Sequence, residues 1–121
     1  MLTSLSSSHR TACDVVNVVA GLGLLFSPWY LGFAGEAHAA WNAWIAGAVI
    51  VVSAAAALYA FHEAEEWINL AAGLWALAAP WALGFAAVTA AMWAHVIAGL
   101  VVAVAATASL WLVRSRPLST A

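Results

Sequence analysis

The chain has 121 residues, 67% of them hydrophobic and 7% charged, with a formal net charge of -2. Soluble domains carry about a quarter charged residues, so this composition is wrong for a water-solvated fold, and its 3 cationic residues cannot form a nucleic-acid interface. A lone cysteine, Cys13, forbids an intrachain disulfide and reads as a small packing residue.

The chain opens on a polar, Ser-rich tail, residues 1–12. Four apolar stretches follow, at 15–34, 39–61, 67–88 and 90–113, and none contains Asp, Glu, Lys or Arg. Each is about 20 residues or longer, which at roughly 1.5 Å per residue matches the ~30 Å hydrocarbon core of a bilayer. The formal charges, Arg10, Asp14, Glu36, Glu63, Glu65, Glu66, Arg114 and Arg116, all fall between or outside these stretches, as the cost of an intramembrane charge requires. Four transmembrane helices are expected. The first run is longer than a signal-peptide core and is half of a repeat, so the small-residue triplet Ala37, His38, Ala39 is not expected to be a cleavage site.

An even number of spans puts Arg10, Arg114 and Arg116 on one side, which the positive-inside rule makes the cytoplasm. Both termini and the acidic linker 62–66 are then cytoplasmic, and the turns near Glu36 and Thr89 face outward. Trp29, Trp41, Trp44, Trp81 and Trp93 fall near the outer boundary and Trp67 and Trp111 near the inner one, as an aromatic belt would. Trp75 lies deeper and calls for a packing partner.

Gly21, Pro28, Trp29, Leu31, Gly32, Phe33, Trp41, Ile45 and Gly47 recur, without a gap, 52 positions later as Gly73, Pro80, Trp81, Leu83, Gly84, Phe85, Trp93, Ile97 and Gly99. Spacing kept through loops as well as helices marks duplication of a whole folding unit. Unit one spans 13–61, unit two 67–113, and a C-terminal tail spans 114–121. Each unit holds two helices, so both enter the membrane from the same side. The expected fold is an all-α membrane protein of two tandem helical hairpins related by a pseudo-twofold axis along the membrane normal.

Phe-Ser-Pro-Trp-Tyr-Leu-Gly-Phe at 26–33, a second helix with Trp41, Ile45, Ala46 and Gly47, and the near-copy Ala-Pro-Trp-Ala-Leu-Gly-Phe at 79–85 resemble the SPW-repeat family of prokaryotic membrane proteins. The resemblance covers nearly all the chain outside its tails. It implies two membrane helices per repeat, with Ser-Pro-Trp in the first, and a prokaryotic cytoplasmic membrane as location. It implies no activity. Unit two departs from the pattern in carrying Ala79 where unit one has Ser27.

Pro28 and Pro80 each remove a backbone donor late in a helix, so a kink or helix end is expected there, with Ser27 serving a freed carbonyl and Trp29 and Trp81 anchoring the bend. Gly32, Phe33, Gly84 and Phe85 complete this structural motif. Gly21, Gly47, Gly73 and Gly99 let backbones approach and are assigned to helix packing. Asn17 and Asn69 recur three residues after an acid, Asp14 and Glu66, on one helix face. They read either as interhelical hydrogen-bonding residues or as part of a polar site at the repeat interface that takes a proton or a cation.

His95 replaces Ala43 of the first unit. It reads as a hydrogen-bonded histidine near the outer interface, with the alternative of an axial ligand to a haem or chlorin. His38 on the outer turn does not complete a zinc site with it, and His62–Glu66 lacks the second histidine of His-Glu-x-x-His. No metal site, no nucleophile and no phosphate loop is visible, so no enzymatic activity is expected. Beyond the lipid bilayer, the expected partner is a larger membrane complex or further copies of the chain, which makes this an accessory or structural subunit. A small oligomeric transporter or channel with Asn17 and Asn69 along its path is the second reading, and a pigment, haem or lipid binder using His95 is the third.

Overall fold

The computed structural model describes residues 2–60 and 63–114. Its elements are α1 (Leu2–Tyr30), α2 (Ala37–Tyr59), α3 (Glu63–Ala82) and α4 (Thr89–Arg114), with no strand among the described residues. Three stretches are long and apolar enough to cross a membrane: Ser8–Tyr30, Ala37–Tyr59 and Thr89–Leu112. At 20 residues, α3 is about 30 Å long, but its first turn carries Glu63, Glu65 and Glu66.

Several boundaries differ from the sequence expectation. The helix begins at Leu2, so the segment read as a tail continues α1 toward the N-terminus. Three glutamates at the N-terminus of α3 complement the positive end of its dipole, and the acidic stretch read as a linker is therefore its first turn. The expected third span, 67–88, stops being helical at Ala82, two residues after Pro80, just as α1 stops at Tyr30, two residues after Pro28. Proline cannot donate to the carbonyl four residues back, and the helix does not survive another turn. Phe61, His62 and the tail beyond 114 lie outside the described residues.

The turns after both helices are copies of one another. Gly32 and Gly84 have φ of 80° and 78°, a left-handed conformation that a side chain would strain. Glu36 N–H donates to Phe33 O at 2.9 Å and Val88 N–H to Phe85 O at 2.9 Å. Short connections make consecutive helices antiparallel. The closest helix pairs are α1 with α2 and α3 with α4, and α1 with α4 and α2 with α3 close the ring, leaving α1 facing α3 and α2 facing α4 across its diagonals. This arrangement is compatible with the pseudo-twofold axis.

Glycine sets the spacing inside each hairpin. A Cβ on Gly47 would lie 2.6 Å from Leu25 N, and one on Gly99 would lie 2.6 Å from Leu77 N, the same contact 52 positions on. Gly21 approaches Ile50 and Val51, and Gly73 approaches the corresponding Val102 and Ala103. All four glycines are buried within the hairpins. Toward the axis the core is filled by Leu24, Ile50, Ala76 and Val102, two repeat-related pairs.

Candidate functional site

Two polar levels remain inside this apolar bundle, one at each end, outer and inner in the orientation expected from the positive-inside rule. At the outer end, Ser27 Oγ donates to Leu24 O at 2.6 Å. That carbonyl is the one four residues before Pro28, which has no N–H to offer it. In the second unit Ala79 has no hydroxyl with which to do the same. Trp29 stacks on Trp44 at 5.4 Å, and Trp44 meets Trp41 edge-on at 5.1 Å, so the first unit carries an aromatic row along its outer edge. Trp81 is exposed.

His95 is fully buried between the turn phenylalanines, its ring 6.4 Å from Phe33 and 4.8 Å from Phe85. Its Nδ1 lies 2.8 Å from Ala91 O; because a carbonyl only accepts, Nδ1 carries the proton and donates. Nε2 is buried with no hydrogen-bond partner. His38, on the first turn of α2, is exposed. His95 is not in the walls of the grooves on the α1–α4, α2–α3 and α3–α4 flanks.

At the inner end, Asp14, Asn17, Glu66 and Asn69 are all 0% exposed. Asp14 on α1 and Glu66 on α3 are related by the repeat and are neighbours across the diagonal. Arg10, one turn before Asp14, contacts its Oδ2 at 3.4 Å. Ser109 of α4, also fully buried, faces Glu66. Glu66 precedes the apolar stretch of α3, and its carboxyl is pushed up to about 8, first by burial and then by the Asp14 carboxyl beside it. The sequence singled out both acids and both amides. Ser109 carried no signal, because its counterpart in the first unit is Ala57.

Two repeat-related grooves run along the flanks. One, between α1 and α4, has a volume of about 670 Å³ and is walled by Val16, Val19, Gly23, Ala94, Ile97 and Val101 among others. The other, between α2 and α3, has the equivalent residues Ile68, Ala71, Trp75, Asn42, Ile45 and Val49 and holds about 370 Å³. The difference has a side-chain cause. Trp75 replaces Gly23 and donates its indole N–H to Asn42 Oδ1, which replaces Ala94, at 2.7 Å. This is the packing partner that the deep position of Trp75 called for. In the open groove, Tyr30 instead donates its hydroxyl to Gly23 O at 2.8 Å.

A duplicated hairpin of apolar helices, with proline-ended first helices and a few buried polar residues, defines a small integral membrane protein in contact with the lipid bilayer. The family of SPW repeat domain proteins matches residues 11–109, and the chain belongs to that family. No curated protein and no solved structure matches it.

Proposed function

We propose that this protein is a non-catalytic accessory subunit that packs its outer helical flank against a larger membrane assembly. The observation that carries the reading is the open α1–α4 groove of about 670 Å³, lined almost wholly by apolar side chains. In lipid, helices associate by close packing rather than by escape from water, so a recess of this size on a helical flank is a place for a side chain of a neighbouring helix. The repeat itself indicates what fits: the equivalent space on the other flank takes the indole of Trp75. The proposed occupant is a membrane helix of the partner presenting a large aromatic or aliphatic residue.

Location of the chemistry supports the same reading. Asp14, Glu66, Asn17, Asn69 and His95 are turned inward, and the described residues outside helices are confined to short turns, leaving the flanks as the surface available to a partner. Asn17 and Asn69 are enclosed within one chain, which weighs against a transport path between copies. The positive-inside rule, applied to Arg10, supports a cytoplasmic N-terminus, and the membrane we propose is the prokaryotic inner one.

The test is the mass and composition of the particle that carries this chain after extraction from its native membrane in a mild detergent. Stoichiometric larger subunits are expected. A monomer, or an assembly of this chain alone, would sink the proposal.

A further inference from the structure

The polar level at the inner end has more hydrogen-bonding capacity than the fold uses. Asp14 Oδ1, both Glu66 oxygens, both amide atoms of Asn17 and of Asn69, and Ser109 Oγ are buried without a hydrogen-bond partner. Buried polar groups are ordinarily paired, so this concentration at one place is not a by-product of packing. Two neighbouring carboxyl groups in a dry interior, with Arg10 against Asp14, cannot both ionise without a further positive charge between them.

Two kinds of positive charge satisfy that condition, and the donor set separates them. A hard metal ion would take the carboxylate, amide and hydroxyl oxygens but would leave both amide nitrogens without an acceptor. Among the described residues, no group of three or more acid, histidine or cysteine side chains could hold a metal ion. A proton needs two acceptors in contact and neighbours able to switch roles. An asparagine amide can donate or accept, as can a serine hydroxyl.

We propose that Asp14 and Glu66 hold one exchangeable proton between them at the seam of the two repeats, with Asn17, Asn69 and Ser109 as the groups that adapt to its presence. Arg10 at Asp14 Oδ2 favours the charge on Asp14 and leaves the proton to Glu66. In the exchange, the Glu66 O–H bond breaks, its electron pair stays on the carboxylate, and the proton passes to solvent at the inner face. Asparagine N–H groups and the Ser109 hydroxyl then turn toward the new charge. The other titratable groups near the pair are Cys13 and Glu65; His62, the repeat counterpart of Arg10, lies outside the described residues. The site is independent of the accessory role.

Infrared spectra of the full chain in lipid nanodiscs, recorded against pH in H2O and D2O, test this directly. Expected is a carboxylic-acid C=O band at neutral pH that shifts in D2O, is lost on alkalinisation and is missing from Glu66→Gln. Asp14→Asn should keep the band but lose it at lower pH, because the neighbouring negative charge is gone; Glu36→Gln, on the exposed outer turn, should change nothing. Asp14→Asn also serves if Glu66→Gln fails to fold. Absence of an acid band in the wild type at neutral pH, or a band indifferent to both inner-end substitutions, overturns the proposal. So does a titration midpoint that moves with sodium concentration at fixed ionic strength, since that would make the ligand an alkali cation.

Discussion

Trp75 stands in the second repeat where Gly23 stands in the first, and its indole N–H reaches Asn42 Oδ1 at 2.7 Å across the space that Gly23 leaves open on the opposite flank. One fold therefore displays both a narrowed and an open version of the same groove. The comparison supplies its own design for a blocking variant. Gly23→Trp combined with Ala94→Asn should be accepted by the fold, because a Cβ at Gly23 meets nothing nearer than Tyr30 Oη at 3.8 Å. It should reduce co-purification of the partner at least tenfold, equivalent to about 1.4 kcal/mol. Pull-down in native detergent extracts reads this, and undiminished recovery of the partner would remove the groove from the interface.

Glycine spacing inside the hairpins sets a second expectation. A Cβ at Gly99 would sit 2.6 Å from both Gly73 O and Leu77 N, which are backbone atoms with nowhere to yield, whereas one at Gly35 meets nothing within 4 Å. Gly99→Ala should cost about 1–3 kcal/mol through forced separation of α3 and α4, and Gly35→Ala about 0.5 kcal/mol or less. Unfolding in mixed micelles distinguishes them, and equal effects would mean that the hairpin tolerates a wider crossing.

The Ser27 hydroxyl offers an experiment in both directions. Ser27→Ala leaves Leu24 O without its 2.6 Å donor and should destabilise by about 1 kcal/mol. Ala79→Ser places a hydroxyl where Pro80 has freed the carbonyl of Ala76 and should stabilise by a comparable or smaller amount. Thermal unfolding of the two single variants checks the pair; a loss in both would show that the second helix end has no room for the hydroxyl.

The raised titration of Glu66 has a defined sign. With the folded value at about 8, above an ordinary 4.5, the folded state binds the proton more tightly than the unfolded one. The stability this contributes is complete below about 4.5 and is lost as pH rises toward about 8. The unfolding temperature of the wild type should therefore fall across that window, and Glu66→Gln should flatten the fall. A wild-type curve that rises over the same range would show Glu66 to be ionised in the folded protein.

Much of the architecture was legible because duplication writes the fold twice. The Pro-Trp and Gly-Phe pairs mark where each first helix ends, and Gly47 and Gly99 mark the close approach in each hairpin. The acids and amides were legible as a site because Asp14 and Asn17 recur as Glu66 and Asn69. Departures from the repeat were not legible in the same way. Trp75 with Asn42, and Ser109 beside Glu66, have no counterparts to announce them. Burial was also hidden, since lipid-facing and core-facing positions are equally apolar and amphipathic periodicity loses its meaning. His95 stood out as a substitution for Ala43, yet its place between Phe33 and Phe85 depends on how two separate turns fold back over one helix.

The narrowing of one groove by Trp75 has a consequence for counting. Two identical hairpins around a true twofold axis would offer two equal berths, and a partner able to use one could use both, building chains or sheets. On the proposed docking mode, one narrowed flank and one open flank would make the molecule univalent, with a handedness in the membrane plane. It would then join an assembly once, in one orientation, and end the growth there.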